Sequence, residues 1–111
     1  MMLKKKYIKS RKVCQVVFEL PADQIPEGIE VESVHLVGDF NDWDLTATPM
    51  KRSRQKVYRA TVDLEPEQTY QFRYVVNGNH WLNDWQADDY VANNFGEDNC
   101  VVVTLAGNST V

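Results

Sequence analysis

From Val13 onward the apolar residues of this chain recur every second position, and no stretch shows the 3.6-residue period and caps of a helix. In residues 13–20, Cys14, Val16, Phe18 and Leu20 fall on one side, and Val13, Gln15, Val17 and Glu19 on the other. Residues 32–39 place Val34 and Leu36 together, residues 56–64 align Tyr58, Ala60, Val62 and Leu64, and residues 70–76 align Tyr70, Phe72, Tyr74 and Val76. Residues 100–105 form a last strand. A strand that turns only one face inward must lay that face on a second layer. Six or seven such strands therefore predict two packed antiparallel sheets, an all-β sandwich of immunoglobulin-like type with negligible helix.

The turns agree with this reading. Residues 21–30 hold Pro21, Pro26 and Gly28 and read as a polar loop; residues 40–50 are rich in Asn, Asp, Thr and Pro. Pro66 marks the turn between two strands. Asn77-Gly78 is the pair best suited to a tight hairpin, because both residues tolerate positive φ. Trp81 falls on the returning strand.

At 111 residues the chain has the length of one domain. The predicted division is a basic segment over 1–12, the sandwich over 13–105 and a fraying tail over 106–111. Six of the twelve basic residues lie in the first twelve positions, and all sixteen acidic residues follow them. That segment reads either as a solvated tail or as a basic strand on an acidic domain. Because the alternation begins only at Val13, removal of residues 1–10 is expected to leave the domain folded. Beyond the single Tyr7, nothing aromatic and nothing amphipathic accompanies the charge, so neither nucleic acid nor a membrane is an expected partner. No apolar core follows the charged N-terminus as in a signal peptide, so the expected location is cytoplasmic, and the sequon at Asn108 then carries no weight. Cys14 and Cys100 read as small buried hydrophobes, and His35 and His80 are not spaced for a metal; no cofactor is expected.

Trp43 and Trp81 sit in or beside turns, and Trp85 lies in a polar stretch. A pyranose ring has an apolar C–H face and a belt of hydroxyls. A flat, stiff indole covers the first at small entropic cost, and flanking amides, carboxylates and guanidinium groups bond the second. The competing reading is that tryptophans of a small domain serve its core, Trp43 as a plug closing a loop end. Catalytic machinery is not expected. The carboxylates of Asp39, Asp42, Asp44, Asp84, Asp88 and Asp89 stand on turns of a domain too small to enclose a sugar cleft, and no nucleophile elbow, phosphate loop or zinc-protease motif is present.

The run from Val34 to Trp43, Val-His-Leu-Val-Gly-Asp-Phe-Asn-Asp-Trp, followed by Pro49-Met50, resembles the carbohydrate-binding modules of family forty-eight. These include the early-set domains at the N-terminus of isoamylases and branching enzymes, and the glycogen-binding module of the AMP-activated protein kinase. The resemblance continues through residues 70–78, Trp81, Asp84, residues 94–99 and Val101-Val102, and is greatest to short stand-alone bacterial early-set proteins. It implies an immunoglobulin-like sandwich and α-1,4-glucan binding. It further implies glucose rings resting on Trp43 and Trp81, hydrogen bonds from Arg73 and Asn99, and an apolar contact from Phe95. Two features differ from the pattern: Glu97 replaces a hydroxyl residue, and the turn before Trp81 is one residue longer, with Asn79 and His80 between Gly78 and Trp81. The expected function is non-catalytic binding of a glycogen- or starch-type glucan. The alternative is an adaptor that docks onto a glucan-metabolising enzyme without holding sugar itself.

Overall fold

A computed structural model describes residues 3–105; the tail over 106–111 and its sequon lie outside the described residues. Among the described residues there are nine strands: β1 Lys4–Ile8, β2 Val13–Pro21, β3 Val34–Gly38, β4 Lys51–Arg52, β5 Val57–Leu64, β6 Thr69–Val76, β7 His80–Leu82, β8 Asp89–Ala92 and β9 Asp98–Val103. One sheet runs β1-β2-β5-β4; the other runs β3-β6-β9-β8, with β7 extending from β6. Every pairing is antiparallel. The only helical turns among the described residues are two short 3-10 turns, Ala22–Gln24 and Asp39–Asn41, and no helix there is long and apolar enough to cross a membrane.

The inward faces are those the alternation marks. Cys14, Val16, Phe18 and Leu20 from one sheet meet Val34, Leu36, Phe72, Tyr74, Val76, Cys100 and Val102 from the other, all essentially without solvent contact. Each large apolar side chain withdrawn this way contributes about 1.5–3 kcal/mol. Phe18 meets Phe72 edge-on at 4.9 Å, Phe72 meets Tyr74 at 5.7 Å, and Phe40 closes one end against Phe18 and Tyr70. Both cysteines are free and buried, and the apolar surroundings of Cys100 push its thiol up to about 11.

Several boundaries differ from those read in the sequence. The basic segment contributes β1, an edge strand paired along its length with β2, while Leu3 packs on the core. Lysines suit that place, since charged side chains on an exposed edge repel further strands. The loop after Pro21 is not wholly polar: Ile25 is buried in the core and Ile29 and Val31 pack on it. The last strand starts earlier, at Asp98, because its first residues pair with β8, a strand whose charged start concealed it. Val75, on the outward face of β6, is fully buried, as is Val37 on β3.

Candidate functional site

The outward face of the β3-β6-β9-β8 sheet carries one cavity of about 590 Å³, lined by Trp43, Arg73, Trp81, Asn93, Phe95, Glu97 and Asn99. All five residues expected to contact sugar lie on its wall, together with Glu97, which stands where the resemblance places a hydroxyl residue, and Asn93, which was not singled out.

Trp43 is presented by the turn after β3, and the run around it has a physical role at each position. Gly38 has no room for a side chain: a Cβ would stand 2.5 Å from the Gln71 carbonyl oxygen and 2.9 Å from the Phe40 ring. Phe40 anchors the turn in the core. Asn41 knots it, accepting from the Gly38 N–H and donating to the Leu36 carbonyl and Thr48 Oγ1. Asp42 and Trp43 then both take left-handed backbone, φ 57 for each. This is costly for a bulky residue and persists only where its surroundings enforce it. Two bonds enforce it here: the Trp43 N–H donates to the Gly38 carbonyl at 2.9 Å and its indole Nε1 donates to Asp39 Oδ1 at 3.0 Å. The other oxygen of Asp39 accepts from the Gln71 N–H, tying the turn to β6. Asp39 is therefore a positioning residue for the indole, and its place between Gly38 and Phe40 was the available signal.

Trp81 is placed by the β6–β7 hairpin. Asn77 and Gly78 take the positive φ expected of them, 55 and 75, with Asn79 as one extra loop residue before His80. The Asn77 side chain also bonds the backbone of Glu30, Glu32 and Ser33, which steadies the hairpin base. Register sets Trp81 opposite Val75, on the same face as Arg73, and the indole is 38% exposed. Despite its longer turn, it lies in the cavity wall.

Arg73 faces outward, but it is not a free surface cation: it is 6% exposed, with its guanidinium 5.6 Å from the Trp81 ring centroid. Its Nε donates to Asn83 Oδ1 at 2.7 Å and its Nη1 to Glu97 Oε1 at 3.0 Å. These bonds engage two of the five guanidinium N–H groups. The charge of Arg73 is balanced by Glu97, so the substitution at that position supplies a counter-ion to the site.

The far wall is the β8–β9 turn, organised by Asn93. Its Oδ1 accepts from the N–H groups of Phe95 and Glu97, and its Nδ2 donates to Asn99 Oδ1 at 3.1 Å. Gly96, at φ 80, lets the chain reverse. Phe95 stands at the tip of the turn, 88% exposed. Asn99 donates to Gln71 Oε1 and keeps one N–H and one acceptor lone pair free. Trp85 is 78% exposed but does not line the cavity. Among the described residues no three His, Cys, Asp or Glu gather as metal ligands would.

Comparison with protein families matches residues 30–91, more than half of the chain, to carbohydrate-binding module 48 (isoamylase N-terminal domain). The matched span holds Trp43, Arg73 and Trp81, while Phe95 and Asn99 lie beyond it. A search of curated proteins returns no match.

Proposed function

The chain belongs to the carbohydrate-binding module 48 family, whose members are non-catalytic modules, and from that we propose that it binds an α-1,4-glucan of the glycogen or starch type, stacking glucose rings on Trp43 and Trp81. The observation that carries the reading is that both indoles, Arg73, Phe95 and Asn99 line a single cavity. Its volume falls within the range of small-molecule sites. The indoles and Phe95 offer flat apolar surfaces to the C–H faces of the rings, and Phe95 at the tip of its turn reaches them from the opposite wall. Arg73 and Asn99 supply donors, and Glu97 and Asn99 supply acceptors, for hydroxyls that are at once donor and acceptor. With Arg73 balanced by Glu97, the site offers directed hydrogen bonds without net charge, which suits a neutral ligand.

Calorimetric titration with maltoheptaose, in low and in high salt, tests the reading. Binding is expected, and it should survive salt because a neutral glucan presents no charge to screen. Absence of binding at millimolar sugar overturns the proposal in favour of the adaptor, in which the same exposed aromatics face a protein surface.

A further inference from the structure

Opposite the cavity, the sandwich has a second surface of different character. Apart from Arg73, all of the twelve basic residues lie on β1, β4, β5 and the turns that flank them. A groove of about 420 Å³ opens there along the β4–β5 border, lined among others by Lys51, Arg52, Arg59 and Thr61.

The same border contains an unfinished sheet edge. β5 pairs with β2 along its whole length, from Val57 to Leu64, but its other side is covered by β4 only at Tyr58 and Arg59. Val57 directs its backbone toward β4: its carbonyl accepts from the Ser53 N–H and its N–H donates to Ser53 Oγ. Backbone groups alternate sides along an antiparallel strand, so Thr61 and Asp63 point the same way. They have no strand partner there among the described residues. The chain leaves them open because residues 48–50 bond β3 in the other sheet, through Leu36 and Val34, before Lys51 crosses to β5.

Open edges recruit strands unless something blocks them. β1, the opposite edge of this sheet, carries three consecutive lysines. The open stretch of β5, Ala60 to Asp63, has no lysine, no proline and no bulge. Cations instead stand at one end, Lys51 and Arg52 in the groove, while at the other Arg11 is paired with Asp63 at 3.3 Å.

We propose that this open edge of β5 takes up an extended acidic segment of a protein partner as an added strand, its backbone bonding Thr61 and Asp63 and its carboxylates meeting Lys51 and Arg52. Main-chain bonds would supply affinity, and alternate side chains specificity, as in other strand additions. The edge lies on the sheet opposite the cavity, so a partner could be held there while the glucan site stays open. The inference does not depend on sugar binding.

The probe is an amidated (Glu-Thr)4 peptide carrying fluorescein at its N-terminus, followed by fluorescence anisotropy and by amide hydrogen exchange of the intact chain. Binding is expected to slow exchange at the Thr61 and Asp63 amides and to leave maltoheptaose titrations unchanged. The same peptide with alternate residues N-methylated keeps the charge but loses strand donors, and should bind at least about tenfold more weakly. The double variant Lys51→Glu/Arg52→Glu, at two exposed positions, should weaken binding by about tenfold or more with an unaltered melting temperature. Equal binding of the N-methylated peptide, unslowed Thr61 and Asp63 amides, or no binding at millimolar peptide would each overturn strand addition.

Discussion

Truncation of Trp81 to alanine separates a sugar platform from a packing residue, because the indole is part exposed and part buried in unequal measure. A tryptophan offers roughly 250 Å² of side-chain surface. With 38% of it exposed, about 95 Å² is available to a glucose ring, worth about 2.4 kcal/mol at 25 cal/mol per Å². Trp81→Ala should therefore weaken maltoheptaose binding by up to about fifty-fold. Asn99→Ala should cost only about 1 kcal/mol, or fivefold, because each hydroxyl contact merely replaces one with water.

The buried remainder of the indole has a separate effect. It stands opposite Val75 and lies over Arg73, so truncation uncovers an arginine that is otherwise nearly sealed. About 155 Å² of lost burial sets an upper limit near 4 kcal/mol, below the roughly 5–15 kcal/mol stability of a typical domain. The variant should melt at lower temperature but remain folded at 25 °C. Calorimetric titration beside thermal melts followed by circular dichroism measures both quantities. If the folded variant bound maltoheptaose within twofold of the parent, Trp81 would be a packing residue and the platform would be refuted.

Three further outcomes are expected. Asp39→Ala, by releasing the Trp43 indole and the Gln71 N–H, should weaken maltoheptaose binding several-fold, and Asp39→Asn, which keeps one acceptor, should restore part of it; equal binding by Asp39→Ala and the parent would show that the indole needs no anchor. Glu19 is buried, which raises its pKa, but bonds from Arg59 and Lys4 outweigh burial and hold it below its ordinary 4.5. Its stabilisation is thus complete above about pH 4.5 and lost as pH falls through the lowered folded value, so urea melts at pH 7 and pH 3 should differ less for Glu19→Gln than for the parent; an equal difference would contradict the linkage. Removing residues 1–10 deletes β1, the packing of Leu3 and the 2.6 Å Lys5–Asp88 contact between the sheets, and should lower the melting temperature by about 10 °C or more; an unchanged melt would return the segment to the status of a tail.

The inward face of every long strand was legible because burial on one side imposes a period of two, and Phe18, Phe72 and Tyr74 obey it without exception. What was hidden shares a physical cause. The short or edge strands β1, β4 and β8 have little apolar face to bury, and their residues Lys4, Arg52 and Asp89 look like turn or tail residues. Their pairing is fixed by neighbours distant in sequence: β1 by Val13 to Val17, β8 by residues 98–101. Composition cannot register such a partner.

The site was legible in a similar, partial way. Trp43 and Trp81 could be singled out from the residue pattern, because aromatics beside turns are conspicuous, whereas Arg73, Phe95 and Asn99 were reached only through the family resemblance. The residues that aim them could not, because Asp39, Asn93 and Asn83 act through single hydrogen bonds whose geometry exists only after folding. Arg73 is the clearest instance. Its outward register follows from alternation along β6, yet its burial depends on Trp81 crossing above it and on Glu97 and Asn83 arriving from two other segments. Alternation alone therefore describes an exposed arginine, a point charge in water. Folding turns it into a fixed, neutralised donor beneath an indole, and that is the form in which it can hold a hydroxyl in place.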